Sequence, residues 1–176
     1  MLRYHLAVTL LLLPYFAGPD SAKAETDYAG LVNPLIGTES EPAFSNGNTY
    51  PAVATPFGMT FWTPRTGDQT GWIYQYKAER LRGFQATHQP SPWMGDYGNF
   101  CVMPFTGAAS RDLPTSAFSH DSEESKAYYY GVTLEDTGIR AEMTATTRCA
   151  AMRFQYPEQS RAWVHLDAYA PGSFET

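Results

Sequence analysis

The 176-residue chain sets 12 Lys and Arg against 18 Asp and Glu, for a formal net charge of −6, and holds four His and two Cys. An acidic chain with no basic tract has nothing to offer a phosphate backbone or an anionic lipid surface, which excludes nucleic acid as its partner. Two cysteines cannot make a disulfide framework, and no CxxC pair is present for a structural metal.

Residues 1–24 stand apart from the fold. Arg3 opens a short apolar run, Leu6–Leu13, and Ala22-Lys23-Ala24 is a small-x-small cleavage site, the layout of a secretory signal. The run is too short to cross a bilayer and is broken by Pro14, Gly18 and Pro19. Cleavage is expected after Ala24, leaving residues 25–176 as one secreted or periplasmic domain with no membrane span. A domain of that size buries about two-thirds of its unfolded surface, enough for a true core.

Thr26–Gly37 reads as a short extended segment and Thr38–Asn48 as a polar loop rich in turn residues. Ala52–Pro64 suits a bent strand around Pro56-Phe57-Gly58, and the aromatic, β-branched run Trp72–Tyr76 suits another strand. Arg80–Gln85 and Gly98–Pro104 are further short strands. Beyond them the alternation has the period of two that a half-buried strand needs. Tyr128–Leu134 and Ile139–Thr147 flank Glu135-Asp136-Thr137-Gly138 as a hairpin, and Ala150–Tyr156 and Arg161–Ala168 are joined by a turn at Pro157–Ser160. In the last strand Val164, Leu166 and Ala168 share a face, which sends His165 to the opposite, wetter one. Many short strands with frequent turns make an all-β antiparallel sandwich. The ending Ala170–Thr176 is loop-like, and the chain reads as part of a larger protein.

Aromatic residues make up 15% of the chain and charged ones 17%, with 14 Gly and 13 Pro. Such a composition presents rings rather than charges. A pyranose lays its C–H face on an aromatic ring and needs polar partners at the edge, so rings suit sugars, although Tyr and Trp also fill sandwich cores. The stretch RLRGFQATHQPSPWMGDYGNFCVMP, residues 80–104, has the makings of a wall for such a ring. Trp72, His88, Trp93 and Tyr97 lie close in sequence, and Pro90 and Pro92 stiffen the loop that carries them. His88 could equally be a structural loop residue. Asp96 is the lone acid of the stretch, and glycoside hydrolysis needs two, so Asp96 suits fixing a loop or a sugar hydroxyl.

Other chemistries lack their residues. His88, His120 and His165 are not spaced as metal pairs, and neither a GxSxG elbow nor a glycine-rich phosphate loop occurs. Asp121, Glu123 and Glu124 with Ser119 and Ser122 form a polar run that could take Ca²⁺ but reads as a solvated loop. Cys101 and Cys149 each sit in a strand-like apolar run, as buried thiols or as a disulfide.

Five short motifs occur in order: Val32–Thr38 (VNPLIGT), Gly47–Pro51 (GNTYP), Pro56–Met59 (PFGM), Arg82-Gly83-Phe84 with Thr87-His88, and Tyr97-Gly98 before Val102-Met103-Pro104. Together they resemble the N-terminal domain of glycoside hydrolase family 92, the Ca²⁺-dependent inverting exo-α-mannosidases, over residues 31–168. THQPSPW, SNGNTYP and GWIYQY look like the α-1,2-mannosidase branch, which trims N-glycans. The resemblance implies a β-sandwich packed on a C-terminal (α/α)₆ barrel, with the active site at the junction. It implies that the catalytic acid and base and the Ca²⁺ ligands belong to the barrel, leaving no catalytic residue and no metal ligand in this chain. The sandwich would lend Trp72, His88, Gln89, Trp93 and Asp96 to a mannose-containing oligosaccharide. It also favours buried thiols at Cys101 and Cys149, where relatives are expected to carry simple apolar residues. The alternative on the residues alone is a free-standing carbohydrate-binding module, or a sandwich whose rings are all core.

Overall fold

The computed structural model describes residues 26–67, 72–87, 100–108 and 112–168. The signal assignment, residues 1–24, and four of the five candidate sugar contacts, His88, Gln89, Trp93 and Asp96, lie outside these residues.

Ten strands are present among the described residues: β1 Phe61–Arg65, β2 Arg80–Leu81, β3 Gly83–Thr87, β4 Phe100–Thr106, β5 Ser116–Ala117, β6 Glu124–Lys126, β7 Tyr129–Leu134, β8 Ile139–Ala145, β9 Ala150–Gln155 and β10 Ala162–Asp167. One sheet has the order β1-β3-β4-β10 and the other β6-β7-β8-β9, while β2 and β5 form a small separate ladder. All pairings are antiparallel. Among the described residues the only helical segments are short 3₁₀ turns. This is the expected all-β sandwich.

The β7–β8 hairpin forms where the alternation predicts it. Leu134 pairs with Ile139, Gly138 takes a φ of 68°, and its N–H donates to the Leu134 carbonyl at 2.7 Å to close the turn. Its inward residues Tyr130, Val132, Leu134, Ile139, Ala141 and Met143 meet Trp62, Phe84 and Ala86 of the facing sheet. Phe84 sits at the centre, 6.2 Å from both the Tyr130 and the Phe154 rings. Burying this apolar surface is the main favourable contribution to the fold.

Trp72–Tyr76 is not a strand. Its backbone bonds locally: Thr66 N–H donates to the Ile73 carbonyl at 2.9 Å, Gln75 N–H to the Thr66 hydroxyl at 2.8 Å, and Tyr76 N–H to the Thr38 carbonyl at 3.1 Å. These bonds satisfy the backbone without a ladder, and the aromatic side chains are used to fill space instead. Thr26–Gly37 is likewise not extended but holds a 3₁₀ turn at Ala29–Leu31. A second 3₁₀ segment, Pro42–Asn48, occupies most of the expected loop. Ala52–Pro64 enters the sheet late, as a single bridge from Val53 to Trp62 followed by β1.

The exposure of the two faces of β10 is the reverse of expectation. Leu166 pairs with Val102, which pairs with Phe84, so all three point to the inner face. Cover declines outward along this row: Phe84 is 1% exposed and Leu166 is 64% exposed. The second sheet does not reach the edge strand, so Val164 and Leu166 meet solvent while His165 and Trp163 on the other face are half-buried. Trp163 gains that cover by stacking on Phe105.

Candidate functional site

Two sequence motifs build the frame around Trp72. Gly37, at the end of VNPLIG, and Gly47, at the start of GNTYP, both adopt positive φ, 83° and 73°. A Cβ on Gly47 would lie 2.0 Å from the Gly37 carbonyl oxygen, so the two backbones meet at a distance only glycine permits. This contact fixes the start of the segment that continues into Thr49 and Tyr50.

Thr49 and Tyr50 then form a strap. The half-buried Trp72 donates its indole N–H to the Thr49 carbonyl at 3.3 Å. Tyr50 is buried, its phenol pushed above the ordinary value by desolvation, with the Thr87 hydroxyl beside it pulling the other way. Thr87 ends β3 and immediately precedes His88. The strap therefore connects Trp72 to the strand end from which the His88–Asp96 stretch departs. Of the five candidate contacts, Trp72 is the one whose surroundings are on view.

Sequence reasoning missed a buried guanidinium. Arg65 ends β1 at 4% exposure, donates from Nε to the Gly67 carbonyl at 2.9 Å, and donates from Nη1 to the Gln85 Oε1. An Arg closing the otherwise uncharged strand FWTPR was the available signal, since a buried Arg must be hydrogen-bonded to repay its desolvation. It ties β1 to β3 at the end opposite Thr87.

A second polar centre overturns the solvated-loop reading of residues 119–124 at Glu123, while Asp121 and Glu124 are exposed as expected. The Glu123 side chain is 1% exposed. It accepts from the Tyr74 hydroxyl at 2.8 and 3.0 Å, from the Tyr130 hydroxyl at 2.6 Å, and meets His120 Nδ1 at 2.5 Å. His120 Nε2 lies 2.7 Å from the Tyr76 carbonyl, and its ring stacks on Tyr76 with centroids 3.8 Å apart. Burial and the Glu123 charge push both tyrosine phenols above their ordinary value. The centre clamps the 72–79 segment, and with it Trp72, to β7. Among the described residues no group of three or more His, Cys, Asp or Glu side chains is placed to hold a metal ion. Both cysteines are free thiols: Cys101 is buried as expected, whereas Cys149 is exposed because it lies in the β8–β9 turn rather than in a strand.

Residues 31–175 match the family model for the N-terminal domain of glycosyl hydrolase family 92. The chain belongs to glycoside hydrolase family 92. Its fold overlays the N-terminal part of a family 92 inverting mannosidase from Bacteroides thetaiotaomicron with a TM-score of 0.68 and 44% identity, covering 76% of this chain and 18% of that one. A second family 92 α-mannosidase from the same organism gives a TM-score of 0.69 and 33% identity over 80% of this chain and 20% of that one. An uncharacterised secreted glycosidase of Arthroderma benhamiae is 24% identical over 163 residues, 86% of this chain and 20% of the relative. The family 92 chain described here thus spans about a fifth of the length of these relatives.

Proposed function

We propose that this chain is the N-terminal part of a secreted, inverting exo-α-mannosidase that removes terminal mannose from N-glycan-type oligosaccharides, and that it supplies one wall of the sugar pocket. The supporting observation is the family match over residues 31–175, together with 44% identity to a domain of an inverting mannosidase. Trp72 offers the ring on which a mannose C–H face rests, with its indole edge held by Thr49. His88, Gln89, Trp93 and Asp96 complete the wall, the polar members meeting sugar hydroxyls.

Hydrolysis with inversion needs one carboxylic acid to protonate the leaving oxygen and one carboxylate to activate water on the opposite face. In this reading both belong to the downstream part of the protein. Calcium is assigned there too. Among the described residues no group of three or more His, Cys, Asp or Glu side chains is placed to hold it.

The test is the full-length protein incubated with α-mannobiose and high-mannose glycans, with the anomer of the first-formed mannose read by proton NMR. β-Mannose released from the non-reducing end, lost on chelation and regained with Ca²⁺, is the expected result. Initial α-mannose, or no mannose from any α-linked substrate, overturns the reading.

A further inference from the structure

The motif Pro56-Phe57-Gly58 forms a turn that presents a phenyl ring to nothing. Gly58 N–H donates to the Thr55 carbonyl at 2.9 Å, closing four residues with Pro56 second and Phe57 third. Phe57 has a φ of 58°. A turn with Pro in the second position and positive φ in the third is one that glycine or asparagine fills at least cost. Phenylalanine there is strained, because its Cβ crowds the backbone in the left-handed region. Nothing inside the domain repays that strain, since Phe57 is 101% exposed, as open as a side chain can be.

The turn is nevertheless held firmly. Ala54 N–H donates to the Ala127 carbonyl at 3.1 Å, Met59 N–H to the Thr147 carbonyl at 2.8 Å, and the Thr60 hydroxyl to the Arg148 carbonyl at 3.4 Å. A Cβ on Gly58 would press against the Thr55 carbonyl and hydroxyl at 3.0 Å, so the tight turn also needs that glycine. Met59, two residues on, shares the exposure, and the flanking Ala54 and Phe61 line one shallow hollow with the exposed Ile36.

We propose that Phe57 is a preset anchor that inserts into the downstream part of the same polypeptide and locks it to this domain. A rigidly offered aromatic ring amid smaller apolar contacts is the usual make-up of an interface hot spot, and holding it in place beforehand lowers the ordering cost of docking. The occupant follows from length. Two family 92 relatives leave about four-fifths of their chains unmatched by this one, so a partner surface on the same polypeptide is at hand at high effective concentration. The inference rests on the reading above that a downstream part follows.

The experiment uses the full-length protein with Phe57 replaced by the photo-reactive p-benzoylphenylalanine, a change at a fully exposed position that leaves the sandwich core untouched. Irradiation followed by peptide mass mapping is expected to join position 57 to a residue beyond Thr176 within one chain. An adduct to a second copy, seen as a band of doubled mass, overturns the proposal. So does an adduct confined to residues 26–168, one formed with added mannobiose, or no adduct at all. The readout does not use activity. An intrachain adduct in a protein that hydrolyses no mannoside refutes the function proposed above and keeps the anchor, whereas an active enzyme without the adduct does the reverse.

Discussion

The Trp72 indole N–H donates to the Thr49 carbonyl across 23 residues of sequence, and this one bond sets the direction in which the ring edge faces. The neighbouring Tyr50 reaches Thr87, so the GNTYP motif acts as a strap between two parts of the proposed sugar wall. In the proposed reading, GNTYP serves the sugar wall by holding Trp72 in place. Its work is positional.

Trp72→Phe keeps an aromatic face but loses the bond to Thr49, a loss of about 1 kcal/mol for an ordinary hydrogen bond. Denaturant titration of the domain should show that modest drop. Steady-state kinetics of the full-length protein on α-mannobiose should show KM raised several-fold with a smaller change in kcat. A Phe variant with unaltered KM would remove Trp72 from the site.

Two phenols and an imidazole converge on the enclosed Glu123 carboxylate. Glu123→Leu removes their shared partner and leaves two tyrosine hydroxyls and His120 to be satisfied anew. Breaking such a buried centre costs on the order of 3 kcal/mol or more, whereas Tyr130→Phe, which deletes a single donor, costs about 1 kcal/mol. The two variants, compared by urea denaturation, should differ in that order. Equal losses would show that the hub does not act as a unit.

Legibility in the sequence followed how local each determinant is. The β7–β8 hairpin could be read directly, since Tyr130, Val132 and Leu134 alternate with outward residues and Gly138 closes the turn within the same dozen positions. Trp72–Tyr76 has strand composition but not strand structure, because its backbone partners, Thr66 and Thr38, come from outside the run. Glu123 looked solvated because two of its partners, Tyr74 and Tyr130, lie 49 and 7 residues away and only the folded chain encloses it. Val164 and Leu166 show the opposite failure, as alternation assigns a face but not whether anything covers it. The family motifs carried what periodicity could not, and they placed Thr49, Tyr50 and Gly37 in contact-forming segments without revealing the contacts.

Glu142 gives the domain an acid-sensitive point on the outer face of the second sheet. Arg153 Nε donates to it at 2.6 Å and the Tyr129 hydroxyl at 2.7 Å, and these bonds hold its carboxyl down at about 2. A depressed carboxyl binds fewer protons in the folded state than in the unfolded one, so its stabilisation is complete above the usual carboxylate range and fades as pH falls toward 2. Glu142→Gln should therefore lower stability at neutral pH, modestly because the Arg153 partner is exposed, and should converge with the parent as pH falls toward 2, which flattens the acid limb of its stability curve. Thermal unfolding at pH steps between about 5 and 2.5 reads the difference; parallel curves for parent and variant would rule the pair out.

The two thiols should separate cleanly by reactivity. Cys101 lies under the first sheet with its thiol pushed up to about 12, chiefly by burial, so almost no thiolate is available at neutral pH. Cys149 is exposed in the β8–β9 turn and is held there by its backbone, whose carbonyl accepts from Thr146 N–H at 2.8 Å. A chromogenic disulfide reagent should titrate one thiol per chain quickly at pH 8 and the second only on adding denaturant, the slow phase tracking unfolding. Cys149→Ser should abolish the fast phase and leave stability unaltered, while Cys101→Ser should put a hydroxyl in place of a buried sulfur and cost about 1–3 kcal/mol. Two fast thiols in the folded domain would mean that β4 opens locally at its Cys101 end, which the paired register of Cys101 with Gln85 and Asp167 argues against.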